Sequence, residues 1–282
     1  MRSAPRDALI AEDVPHESLG RAFGFHRAGD SFGAVVGPLI GLIALNVVHG
    51  DVRAALWWAL VPAVISAALT LFVRDVWPHS DVVAERVEHA STPLPAEFRR
   101  VVFVLAVIAL VNFSDALLLL RVVELGCSAT QVVAAYVVFN AVYTLASFPA
   151  GALADRLPKN VVYAIGLCAF AAGYLGLGFI GHGFGVYVFV GLYGLFPAFT
   201  DGVGKAWVAS LVDRAHLGRA QGVFQAFNNG AILVAGLWAG LLWNVGPGDG
   251  KLPLMISGLV AAFAAVALSL KHPLSKFVLA SP

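Results

Sequence analysis

Few side chains in this sequence could bind a solute or carry a proton, and most of them sit within apolar runs. Asp115 is the strongest single candidate, an acid in the run 99–123 with Asn112 one turn earlier on the same helix face. An acid inside a membrane segment is costly and points to a proton or substrate group. The competing reading is a polar group satisfied by a neighbouring helix. Asp201 and Lys205 are spaced to pair within one helix, as a structural salt bridge or as a transport pair. Arg6 and Asp7 precede the first long apolar run, and His26, Arg27 and Asp30 lie in its first turns, where a headgroup-level structural role competes with transport. Asn140, Tyr143 and Asn228 could line a cavity or simply bond across helices. The eight histidines are scattered, and Cys127 and Cys168 make no metal spacing. Gly-x-Ser-x-Gly, His-Glu-x-x-His and Gly-x-x-x-x-Gly-Lys are absent from the sequence. The expectation is no enzyme, no metal site and no cofactor.

The elements that position these residues follow from composition. Of 282 residues, 59% are apolar and 12% charged, with a mean hydropathy of +0.83. Soluble domains carry about 25% charged residues, so the chain reads as an all-α membrane protein with the lipid bilayer as a partner. The net charge of +1 gives no reason to expect nucleic acid. A spanning helix needs about 20 mostly apolar residues. Eight segments qualify: 22–48, 53–73, 99–123, 129–153, 160–180, 184–208, 217–245 and 252–270. A charged, proline-containing linker is expected at 74–98 and a short tail at 273–282. Trp57, Trp58 and Trp77 read as interface anchors. The polar start, with Arg2, Arg6 and Asp7, does not read as a cleaved signal peptide.

Basic residues set the orientation. With eight spans, alternate loops starting from the N-terminal segment hold 15 of the 18 Lys and Arg residues. The opposite side holds Arg53, Arg121 and Lys251. Both termini are therefore expected in the cytoplasm of a cell whose inner membrane the chain crosses repeatedly.

Gly29, Gly33, Gly37 and Gly41 recur every fourth residue and form one line along a helix, with Pro38 among them. Such a groove lets another backbone approach and rock against it, and Pro38 removes one backbone donor. Tight packing without motion would need the same groove.

Residues 8–24 have a second copy. A shift of 198 places Leu19 on Leu217, Gly20 on Gly218, Arg21 on Arg219, Ala22 on Ala220 and Gly24 on Gly222, and sets Asp30 on Asn228. Transporters are often built from six-helix repeats. The later copy, 99–272, then holds a complete six-helix bundle, and residues 1–73 hold only the rear of its twin. A full twin would add roughly 100 residues before Met1; a genuine eight-helix protein with local resemblance is the alternative.

Gly151-Ala-Leu-Ala-Asp155-Arg156-Leu-Pro-Lys159 resembles the cytoplasmic loop signature of the major facilitator superfamily, Gly-x-Leu-Ala-Asp-Arg-x-Gly-Arg, with Pro158 in place of a glycine. Gly33 through Gly41 is similar to that family's helix-five signature, which is associated with antiporters. Arg6 to Ala11 and Gly20 to Gly24 resemble a bacterial efflux branch that includes nickel-resistance members. The resemblance implies helices five to twelve of twelve, with the end of helix four, and helix five packed on helix eight through Ala135, Ala146, Ala150 and Ala154. It implies that Arg6 faces the central cavity. Gly151, Asp155 and Arg156 become a conformational motif, in which Asp155 caps a helix start or pairs with a base when the cytoplasmic side closes, or serves only as a solvated turn. Proton-coupled export of a small molecule by alternating access is the function implied first. An importer or uniporter, or a membrane protein that transports nothing, are the alternatives. Without the helices that complete the cavity, this chain is not expected to transport alone.

Overall fold

The computed structural model describes residues 3–72 and 93–270. The linker expected at 74–98, apart from its last residues, lies outside them, as do the tail at 273–282 and Trp77. The regular elements among the described residues are all helices, with no strand among them. In chain order they form α1 (Ser3–Asp13), α2 (Leu19–Val47), α3 (Val52–Trp58), α4 (Leu60–Thr70), α5 (Ala96–Ala109), α6 (Asp115–Glu124), α7 (Ala129–Arg156), α8 (Lys159–Phe179), α9 (Gly185–Ala209), α10 (Leu217–Leu241) and α11 (Lys251–Leu270). Local chemistry fixes several starts. Ser128 and Gln131 form a reciprocal capping box on α7. The Asp51 carboxylate accepts from the Arg53 and Ala54 amides at the head of α3.

Six helical segments among the described residues are long and apolar enough to cross a membrane: His16–Val47, Val52–Leu69, Ala129–Arg156, Lys159–Phe179, Gly185–Ala209 and Lys251–Leu270. The other two expected spans differ from simple crossing helices. The run 217–245 is helical as far as Leu241, as α10, but its Gln and Asn positions dilute its apolar character. The run 99–123 is broken. Its ladder tightens at Asn112, whose amide bonds Ala109 rather than Ile108, and restarts where the Ser114 hydroxyl accepts from the Ala116 amide at 3.3 Å. Trp238 donates its indole N–H to the Leu110 carbonyl at the break, at 2.8 Å. Phe113 fills the gap against Tyr174, Trp238 and Trp243, with ring centroids 5.0, 6.4 and 6.3 Å away. The run 53–73 is interrupted at Ala59 for a different reason: Pro62 has no N–H to give the Trp58 carbonyl.

α8 and α9 form the interior, with α7 and α11 on their flanks and α10 against α5. α2 crosses α7 and touches α9; α1 lies on α10. Large apolar side chains such as Phe103, Leu233 and Phe263 stay exposed around the outside, as a lipid-facing surface requires.

The repeat is visible in the element boundaries. The 3₁₀ turn His16–Ser18 leads into α2 at Leu19, and the 3₁₀ turn Arg214–His216 leads into α10 at Leu217, each 198 residues later. The contacts swap accordingly: α1 meets α10 as α9 meets α2.

The expected glycine seam is elsewhere. α2 does pack on α7, but Gly29, Gly33, Gly37 and Gly41 have no atom within 4 Å of an added Cβ. The close crossing is made two turns earlier. A methyl on Gly24 would lie 2.5 Å from the Ser147 carbonyl oxygen, and methyls on Gly20 and Gly151 would each collide with the other's carbonyl. Of the small α7 residues expected there, Ala150 and Ala154 are buried beside this crossing and Ala135 lies buried farther along; Ala146 is half-buried. Gly33, Gly37 and Gly41 instead line an apolar groove of about 540 Å³ together with α3 and α4 residues including Trp58 and Pro62.

Candidate functional site

One polar cavity of about 360 Å³ lies where α1, α2, α9 and α10 converge. Arg6, Arg27, Asp201, Lys205, Gln225 and Asn228 are among its lining residues. Lys205 does not pair with Asp201 as its helical spacing suggested. Its ammonium lies 2.5 Å from the Asp7 carboxylate, and both side chains are almost wholly buried. Gln225 donates to the same Asp7 oxygen at 2.9 Å. Asp201 instead accepts from the Tyr143 hydroxyl at 2.7 Å. The inter-helix pairing wins because an α1 carboxylate with no exposure must be met by a cation from another element.

Asp7 and Lys205 are also repeat equivalents, separated by 198 positions. So are Arg27 and Gln225, and Asp30 and Asn228. Two equivalent residues can touch only near the axis that exchanges the repeats. The ion pair therefore marks the meeting line of the two copies.

Asp30 stands at the edge of the cluster, 45% exposed. Its carboxylate lies 3.8 Å from Arg6, 3.6 Å from Arg27 and 3.6 Å from His26, all beyond ordinary hydrogen-bond length. His26, Arg27 and Asp30 thus face a shared polar centre rather than standing apart as a surface group.

Asp115 occupies a second polar site. The helix break places it in the first turn of α6, not mid-helix, and its side of the chain is accessible. It accepts from the Tyr193 hydroxyl at 2.7 Å, and the same hydroxyl lies 3.5 Å from Asn112 Oδ1. Tyr193 and Tyr143 both pack on Phe139, which spaces the two carboxylate–phenol pairs. Asn140 is buried and donates to the Tyr136 carbonyl within its own helix at 2.9 Å, so it bonds across no helix gap.

A third polar site closes the end of α2. Ser18 makes no side-chain cap there. The Asp155 carboxylate, from α7, accepts from the Gly20 and Arg21 amides at 2.7 and 3.0 Å and from the Arg21 guanidinium at 3.2 Å. A carboxylate at a helix N-terminus meets both the orphan amides and the positive end of the dipole. Arg156 points outward and is exposed.

At the opposite end of α8 sits a group that hydropathy concealed. Arg121, assigned from the sequence to an outer loop, is 1% exposed and donates to the Leu177 and Asp249 carbonyls, both at 3.1 Å. Trp243 donates to Glu124 at 2.9 Å beside it. The Arg-x-x-Glu spacing at the end of an apolar run was the available signal.

A sequence model described as the Major Facilitator Superfamily matches residues 2–122 and 116–280. The chain is also 28% identical, over 274 residues, to an uncharacterized MFS-type transporter of Methanocaldococcus jannaschii; the match covers 93% of this chain and 68% of that protein. With both repeats matched, the chain belongs to the major facilitator superfamily, a family of membrane-spanning secondary transporters and not of enzymes.

Proposed function

We propose proton-coupled export of a small molecule by alternating access, with the cavity at the meeting line of the repeats as the solute site. The observation that carries this reading is the buried Asp7–Lys205 pair beside the 360 Å³ cavity, formed by repeat-equivalent residues on α1 and α9. A buried charge pair in a membrane protein lies by default on a solute or ion path. Asp115 with Tyr193 and Asp201 with Tyr143 are the proton carriers in this scheme, and Asn228 supplies a polar wall of the cavity. Residues 1–73 and 99–272 move against one another across the α2–α7 crossing. The contacts of Gly20 and Gly24 with Gly151 and Ser147, and the Asp155 cap, hold that crossing shut in the state described. Export rests on the similarity of the glycine stripe to antiporter signatures. The 15-to-3 division of basic residues supports an inner-membrane protein with its C-terminus, and the Asp155 end, in the cytoplasm. The test is flux: the full-length protein in liposomes under an imposed pH gradient discharges protons when its solute is supplied. Absence of solute and proton movement across a broad solute panel would refute the proposal.

A further inference from the structure

We propose that the cavity between α1, α2, α9 and α10 binds a small soluble oxyanion, a carboxylate or phosphate, on the guanidinium groups of Arg6 and Arg27. This deepens the transporter reading by naming the chemical class of its cargo. Donor accounting points to it. Lys205 is spent on Asp7, whose Oδ2 also accepts from Gln225, while its buried Oδ1 has no hydrogen-bond partner and lies 3.7 Å from Arg6. One oxygen of Asp201 is taken by Tyr143. Arg6 and Arg27 are different. Each reaches carboxylates only at 3.6 Å or more, and each has a buried Nε with no hydrogen-bond partner. Two forked donors facing one cavity with unspent N–H groups match the paired oxygens of a carboxylate or phosphate.

Asp30 shows where such a ligand would sit. Its Oδ2 lies between the two guanidinium groups, 3.8 Å from Arg6 and 3.6 Å from Arg27, too far to satisfy either. It is also accessible and can be displaced. An incoming oxyanion takes its place and moves closer, and the local charge balance is kept because Asp30 swings out to water. A cation entering the same cavity would meet Arg6, Arg27 and Lys205 on its walls, against Asp201 there and Asp30 at the edge.

The experiment is calorimetric titration of the purified full-length protein, in neutral detergent, with inorganic phosphate, succinate and tetraphenylphosphonium. Phosphate or succinate is expected to bind saturably. Arg27→Gln and Arg6→Gln should each weaken it about 10- to 100-fold, the range for a lost charged hydrogen bond. Arg27→Lys keeps the charge but not the fork, and should fall between. Asp30→Asn removes the competitor and should tighten binding. Exposed Arg99→Gln should leave it unchanged. Thermal unfolding of each variant separates loss of binding from loss of fold. No saturable anion binding, or binding indifferent to both arginines, overturns the proposal. Repeating the titration in phosphatidylglycerol nanodiscs tests the source: if soluble anions no longer bind there, a lipid headgroup occupies the site and the proposal fails. Binding of tetraphenylphosphonium that Asp201→Asn abolishes would overturn the anion class yet leave the transporter reading standing, since that reading falls only with the liposome flux.

Discussion

Replacing Gly24 by alanine tests where the two halves meet. An added methyl would sit 2.5 Å from the Ser147 carbonyl oxygen and 3.2 Å from the Gly151 Cα, whereas ordinary contact begins at 3.4 Å. The obstructing atoms are backbone, so no side chain can swing aside, and α2 and α7 must part by about 0.9 Å. Overpacking of this kind costs about 1–3 kcal/mol, partly offset by up to about 1 kcal/mol of gained helix propensity. For a chain of this size the net loss lowers Tm by about 2–8 °C. Gly37→Ala is the matched comparison. Nothing lies within 4 Å of its added methyl, so it should be neutral or stabilising by up to about 1 kcal/mol. Both variants are measured by thermal unfolding in the same detergent, with flux in liposomes as a second readout. Rocking that brings the four-spaced glycines into contact in another state would leave Gly37→Ala stable but slow to transport. Equal destabilisation by the two variants would refute the assignment of the crossing to Gly20, Gly24 and Gly151.

The other expectations concern charges. Lys205→Met leaves Asp7 buried without its cation and should cost about 3–5 kcal/mol; the double variant Asp7→Asn, Lys205→Met should recover most of it, and a thermal double-mutant cycle with no coupling would dissolve the pair. Arg121→Met should lose about 1.5–3 kcal/mol for its charged hydrogen bonds to Leu177 and Asp249, and Arg121→Lys should not rescue Tm, because a single ammonium does not reproduce a fork that spans two carbonyls. Tyr193→Phe removes one hydrogen bond to Asp115, costing about 0.5–1.5 kcal/mol, and should blunt the dependence of flux on the pH gradient; an unchanged gradient dependence rejects Asp115 as a proton carrier.

Hydropathy made the helices legible, and the 198-residue shift foretold the matched starts at Leu19 and Leu217. The breaks were harder, since an apolar run looks alike whether or not its ladder continues. Ser114 before Asp115 was a helix-start signal inside such a run, and Pro62 was a missing donor. Side-chain partners were the least legible. Helical spacing pairs Lys205 with Asp201, but burial of Asp7 on a distant segment overrides a local i,i+4 option. The glycine stripe misled for a related reason: regular spacing shows that a backbone can approach, and only the neighbouring helix decides whether one does.

The placement of three features on α2 gives the repeat a mechanical consequence. Within its first twelve residues this helix carries the amides capped by Asp155, the Gly24 crossing, and then His26, Arg27 and Asp30 at the cavity. A rigid helix cannot lift its first turn from α7 without carrying Arg27 and Asp30 with it. Conversely, any solute that draws Arg27 inward pulls the same turns against the Asp155 cap. The cap therefore need not sense the solute directly. Its three charge-assisted bonds, two to α2 amides and one to Arg21, supply the bistable contact, and the cavity shifts its balance through a rigid lever about two turns long. Asp155→Asn keeps the shape of the cap but weakens the charge-assisted part, so it should favour the open crossing without altering the cavity's own donors. A solute affinity that changes in Asp155→Asn while the Arg6 and Arg27 dependence stays intact is the signature of that lever; an affinity indifferent to Asp155 means the cap and the cavity move independently.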